Sequence, residues 1–149
     1  MRTIIRDALV TSALACALSV ALAARNPQEH QHPGAHPEGG AHRHPEAAKL
    51  KNAVASSPES IEAGKTLYDK QCAGCHGDTG KGDGAMGEEL NPKPADLTDA
   101  DWKHGSSDGE IFTVIRDGVK NTGMKPYARK MTAHQMWDVV NFLRSIGPH

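Results

Sequence analysis

The chain has 149 residues and a formal net charge of −1. That length holds one small domain with extra segments; so even a charge balance says little about partners, and nothing in it points to nucleic acid. Aromatic residues make up only 4%, thin for a domain that must build its own core.

Residues 1–24 have the layout of a secretory signal. Arg2 and Arg6 form a positive n-region, a largely apolar run covers 8–24, and Ala21-Leu22-Ala23 is a small-residue cleavage site. Only Thr11, Ser12 and Ser19 interrupt the run, so an uncleaved membrane anchor is a second reading. Acylation of Cys16 as a lipoprotein is a third, against which stand Ala13 three residues before it and an apolar run that continues to Ala24. Export to the periplasm is the expectation, with a membrane-anchored form as the alternative.

Residues 25–57 differ in composition and read as a linker. Residues 28–46 consist of His, Pro, Gly, Gln, Glu, Ala and Arg, with almost nothing to bury, and such a segment cannot offset its ordering entropy. It holds His30, His32, His36, His42 and His44. At that density neutral imidazoles can capture Zn²⁺, Cu²⁺ or Ni²⁺. The competing reading is a solvated tether between the leader and a domain over 58–149. Residues 47–56 fit either a short helix or more linker.

From Pro58 the pattern turns helical. Ser57 suits an N-cap, Pro58 the first helical position, and Glu59 and Glu62 the positive end of the dipole. Ile61, Gly64, Leu67 and Tyr68 share a face at steps of three and four. A glycine in mid-helix costs about 1 kcal/mol against Ala, so Gly64 implies that another helix approaches closely there.

This helix runs into Cys72-Ala73-Gly74-Cys75-His76. C-x-x-C-H is the attachment signature of a c-type haem. Two thiols at this spacing each reach one vinyl group of the porphyrin, and the next residue offers an imidazole nitrogen to the iron. A zinc site would need a second Cys/His pair at ligand spacing, and a thioredoxin-like dithiol would need a βαβ context rather than the His. A buried porphyrin also supplies the apolar area that the low aromatic content lacks.

Residues 78–94 form a Gly- and Pro-rich loop. Its length argues against a compact domain unless it wraps a cofactor; Met86 reads there as a loop or packing residue. A proximal imidazole donates its free N–H to a carbonyl, and the segment 91–94, which includes Pro92 and Pro94, is the expected source; an ordinary turn is the alternative. Asp96, Asp99 and Asp101 read as a solvated acidic stretch. Trp102 either lines the haem, its indole N–H reaching a propionate, or fills the core.

A second helix is expected over 107–119. Ser107 with Glu110 makes a capping box, Ile111, Val114, Ile115 and Val119 form one apolar face, and Gly118 ends it. Residues 121–127 then form a turn-rich loop around Met124, the leading candidate for the sixth iron position. Met131, His104 and no protein ligand come next, in that order. The last helix starts at Thr132, with Gln135 completing another capping box. Met136, Val139, Val140, Leu143 and Ile146 face one way, Trp137 and Phe142 widen that face, and Gly147-Pro148 stops the helix.

With these stretches assembled, the part of the chain over 58–147 resembles class I cytochrome c, the small monohaem family of bacteria and mitochondria. The resemblance implies an all-α fold in which the N- and C-terminal helices cross around one covalent haem c. Gly64 and Tyr68, eight and four residues before Cys72, match the family's crossing glycine and aromatic, and Val139 with Phe142 match the partner helix. Gly123-Met124-Lys125-Pro126 resembles the family's methionine loop, with Lys125 where Pro is common. Residues 107–127 are similar to c-type domains that serve haem-copper oxidases and quinoprotein dehydrogenases. The resemblance further implies hexacoordinate iron between His76 and Met124; with attachment through Cys72 and Cys75, Tyr68, Pro94, Trp102 and Tyr127 are candidate pocket residues. The implied function is outer-sphere transfer of single electrons between redox proteins, without substrate or acid–base catalysis.

The domain over 58–149 carries 11 Lys+Arg against 14 Asp+Glu, a net of −3. Lys120, Lys125, Arg129 and Lys130 nevertheless cluster around the methionine loop and are read as a ring that steers an acidic redox partner, or else as a solvated face. Two other function classes remain at this point: a haem sensor or gas-binding protein with a displaceable distal ligand, and a metal-handling protein using the His tract.

Overall fold

The computed structural model describes residues 45–100 and 102–147. It is all-α, with no strand among the described residues. The leader and the five histidines of the tract lie outside the described residues.

Helix α1, Pro58–Gln71, starts as its sequence dictates: Ser57 accepts the Ser60 N–H and Pro58 takes the first position. A single helical turn, α2, Ala73–His76, comes directly after Cys72. Helix α3 covers Asp108–Asp117 behind a Ser107–Glu110 capping box, and α4 covers Ala133–Ile146 behind a Thr132–Gln135 box. Each cap satisfies N–H groups that have no intrahelical partner, worth about 1 kcal/mol apiece.

The most extensive helix contact is between α1 and α4. Gly64 makes it possible, because a β-carbon there would overlap the Asp138 carbonyl. One turn on, Tyr68 is fully buried, its ring 5.1 Å from that of Phe142. Val139 and Val140 are also fully buried, each stabilising the fold by about 2 kcal/mol. On the other side of α4, Trp137 stacks on Phe112 of α3 at 4.1 Å. Arg144 ties the ends of these helices, its Nε donating to Asp108 Oδ1 at 2.7 Å.

Residues 47–57, for which the sequence left a short helix and more linker both open, run along the domain. They open with a 3-10 turn, Ala47–Lys49, packed on α3. Asn52 Nδ2 donates to Asn141 Oδ1 at 2.8 Å. Asn141 Nδ2 in turn reaches Ser60 Oγ at 2.8 Å, and Ser60 Oγ donates to Asp138 Oδ1 at 2.6 Å. This strap is held by buried polar groups, which is why a hydrophobicity reading left it undecided.

Candidate cofactor site

The turn over 72–76 is closed by its own backbone. The Cys72 carbonyl accepts N–H bonds from Cys75 at 3.0 Å and His76 at 2.9 Å, and the Ala73 carbonyl accepts from Gly77 at 2.8 Å. Residues three and four apart on a helical turn share a face, so Cys72, Cys75 and His76 are presented together.

The surrounding chain caps the remaining carbonyls. Tyr127 Oη donates to the Gln71 carbonyl at 2.7 Å, and Tyr68 Oη donates to that of Gly77 at 2.7 Å. From the glycine-rich loop, Gly84 N–H reaches the Cys75 carbonyl at 3.2 Å and Gly82 N–H the His76 carbonyl at 2.8 Å. A β-carbon on Gly84 would stand 2.6 Å from the Ala73 carbonyl oxygen, so the composition of this loop lets backbone lie on backbone.

His76 Nδ1 lies 3.0 Å from the Ala95 carbonyl oxygen. A carbonyl can only accept, so Nδ1 carries the proton and Nε2 keeps its lone pair. Burial lowers the His76 pKa, opposed by that hydrogen bond, which favours the neutral imidazole a metal needs. The acceptor is one residue beyond the 91–94 segment expected for it. Pro94 instead packs its ring against Gly87. The next three residues hold the Ala95 carbonyl in place. Asp96 Oδ1 accepts from Thr98 N–H at 2.7 Å and Thr98 Oγ1 at 2.6 Å, and Leu97 N–H donates to the Gly80 carbonyl at 2.6 Å.

Cys72 and Cys75 are both free thiols, half-buried. In the chain before haem is attached, burial, with Cys75 adding to it, pushes the Cys72 thiol up to about 12. Two unpaired thiols and a neutral imidazole on one face fit a covalent haem, whose thioethers form by adding S–H across a vinyl group. They do not fit a closed zinc site: no group of three or more His, Cys, Asp or Glu at metal-binding spacing exists among the described residues.

Met124 is half-buried in the loop after α3. Its N–H donates to Thr122 Oγ1 at 3.0 Å, and its carbonyl accepts from Val119 N–H at 3.0 Å. The alternative Met131 is buried in the helical core. His104 is half-buried in the turn ahead of α3, and Met86 is 73% exposed. The Trp102 indole N–H donates to the Asp99 carbonyl at 2.8 Å, so that donor has a local partner where the sequence reading offered a propionate. Lys120, Lys125, Arg129 and Lys130 are all exposed, and none enters an ion pair among the described residues.

Residues 61–147 match the family model described as cytochrome c. The chain belongs to the cytochrome c family. Its cofactor is haem c, bound covalently, and Cys72 and Cys75 are the only cysteine pair among the described residues. The domain is one of haem-based electron transfer. The CcoP subunit of the cbb3-type cytochrome c oxidase of Azospirillum brasilense is 33% identical over 97 residues, 64% of this chain and 32% of the relative. The FixPc subunit of Rhizobium leguminosarum is 30% identical, over 62% of this chain and 30% of that subunit. This chain therefore spans about a third of the length of the curated relatives it matches. Among solved structures, a chain of the reducing HAO-like protein complex of Kuenenia stuttgartiensis aligns at a TM-score of 0.61 and 25% identity, covering 66% of this chain and 50% of that one. Cytochrome cL of Methylophaga aminisulfidivorans aligns at 0.51 and 25%, over 66% of this chain and 59% of its own. No helix among the described residues is long and apolar enough to cross a membrane.

Two features of this cytochrome c domain escaped the sequence reading: the Ala95 carbonyl and the pairing of Tyr127 with Gln71. Both use backbone oxygens, which every residue has, so no residue-type signal could have found them.

Proposed function

We propose that this chain is an exported monohaem electron carrier, with thioethers at Cys72 and Cys75 and iron held between His76 and Met124. When bound, the haem supplies the one-electron couple. The residues do the rest. Cys72 and Cys75 fix the ring covalently, the Ala95 carbonyl orients His76 and raises its basicity, and a thioether in the sixth position raises the potential relative to a second imidazole. With His76 and Met124 both holding the iron, it would have no open position for a small molecule, which favours a carrier over an enzyme. The observation that carries this reading is His76, neutral and oriented by Ala95 on the same face as two free thiols.

The leader over 1–24 supports export, and attachment of haem c outside the bacterial cytoplasm is consistent with it. The relatives named as oxidase subunits favour redox proteins as partners, docking on Lys120, Lys125, Arg129 and Lys130. The five histidines over 30–44 are proposed to act as a solvated tether that also takes up divalent metal weakly.

The test is optical. The oxidised protein should show the weak far-red band of sulfur-to-iron charge transfer, lost in Met124→Ala and kept in Met131→Ala. A five-coordinate spectrum with ready CO binding in the wild-type protein would replace this reading with a gas-binding one.

A further inference from the structure

The geometry points to Tyr127 as the positioning residue that holds the distal-ligand loop at a set span from the haem-attachment turn. The inference rests on the reading of Met124 as sixth ligand and deepens it. Tyr127 lies three residues after Met124, yet its hydroxyl donates to the carbonyl of Gln71, the residue before the first haem cysteine, at 2.7 Å across a sequence separation of 56. The ring is half-buried, and its hydroxyl donates to a neutral carbonyl.

The same residue anchors the loop by its backbone. Tyr127 N–H donates to the Ile115 carbonyl at 3.1 Å, and the Tyr127 carbonyl accepts from Lys130 at 2.8 Å and Met131 at 3.0 Å. Upstream, the loop closes on itself through Val119 N–H to the Met124 carbonyl and Met124 N–H to Thr122 Oγ1. Gly118, at φ +70, would carry a β-carbon 2.7 Å from the Met124 carbonyl oxygen, so the loop enters by close backbone contact. The loop is thus a self-closed unit, and the Tyr127 hydroxyl is its side-chain bond to the turn that carries Cys72, Cys75 and His76. A bond between those two segments would limit how often the thioether leaves the iron, to the extent that the loop moves away from the turn when it does.

An exogenous ligand measures that departure. Imidazole reaches ferric iron only when Met124 has left it, so its apparent affinity scales with the population of the open loop. Removing the hydroxyl in Tyr127→Phe, which keeps the ring, should tighten imidazole binding to the oxidised holoprotein about fivefold, equivalent to about 1 kcal/mol at 25 °C. Loss of the far-red band during the titration is the readout. Thr132→Ala, which removes the α4 cap at similar cost in stability, is the matched control and should leave the imidazole affinity within about twofold of wild type. Unchanged affinity in Tyr127→Phe overturns the inference, even if its melting temperature falls. Equal tightening in both variants also overturns it, since the effect would then be general loosening. Retention of the far-red band in Met124→Ala defeats the ligand reading itself, whatever Tyr127→Phe does.

Discussion

Gly64 lies against Asp138 so closely that a β-carbon at position 64 would overlap the Asp138 carbonyl oxygen and stand 3.0 Å from Cβ of Phe142. The obstacle is backbone in the middle of α4, which cannot rotate aside as a side chain would. Propensity alone would make Gly64→Ala favourable by about 1 kcal/mol. Overpacking at a helix crossing costs up to about 3 kcal/mol, so the packing effect wins. The expected outcome for Gly64→Ala is a melting temperature lower by roughly 10 °C, read by circular dichroism of the holoprotein. An unchanged or higher value would mean that α1 and α4 separate freely.

Asn141 is the hub of the buried polar line that holds the strap. Its amide donates to Ser60 Oγ and, more weakly, to the Val54 carbonyl at 3.3 Å, while its oxygen accepts from Asn52. Asn141→Ala removes the partner of the Asn52 amide and of the Val54 carbonyl, while Ser60 Oγ keeps Asp138; a polar group left without its partner costs about 1–3 kcal/mol when buried. Beyond a loss of stability, the strap should come free. Limited proteolysis should then cut within residues 45–57 well before the rest of the domain, and equal protection in variant and wild type would refute this.

Acid sensitivity should trace partly to Asp96. The side-chain hydrogen bond from Thr98 and then its backbone N–H hold the Asp96 carboxyl below its ordinary value of 3.8. A carboxylate depressed in the folded state stabilises the fold fully above its unfolded pKa, and that stabilisation is lost as the pH falls through the folded value. Asp96→Asn keeps an acceptor oxygen and no longer titrates. Its stability should therefore fall less than that of wild type between about pH 5 and pH 2, as measured by denaturant melts at each pH. The Asp96–Thr98 hydrogen bonds brace the turn directly after Ala95, whose carbonyl orients His76, so the far-red band should report the same difference.

Four exposed cations that form no ion pair among the described residues flank Met124 in the chain. If they steer partners, oxidation of the reduced protein by an anionic iron–cyanide complex should slow about tenfold between roughly 10 and 200 mM salt. Oxidation by a cationic cobalt complex should quicken or stay level. Replacing Lys120, Lys125 and Lys130 with Glu should invert the two salt dependences. Parallel curves for both oxidants would assign electron entry to another face.

Much of this architecture is legible in the sequence alone. Ser57-Pro58, Ser107 with Glu110, and Thr132 with Gln135 mark helix starts because capping is a contact over three residues, contained in a short stretch of sequence. The mid-helix Gly64 announced a close approach because nothing local justifies it, and the observed crossing with α4 bears that out. The strap was less legible. Asn52, Ser60, Asp138 and Asn141 are polar residues that read as solvent-facing until the fold brings them together and buries them.

By itself, the sequence determined the haem-attachment turn, the helices, the candidate ligands His76 and Met124, and the aromatic pair Tyr68 and Phe142, because these depend on residue type and local spacing. Tertiary structure alone decided which carbonyl orients His76, that Met131 belongs to the core, and that Tyr127 reaches back to Gln71. Main-chain oxygens carry no residue identity, and the burial of a methionine depends on what packs around it. Both are properties of segments far apart in the chain, and only folding brings them into contact.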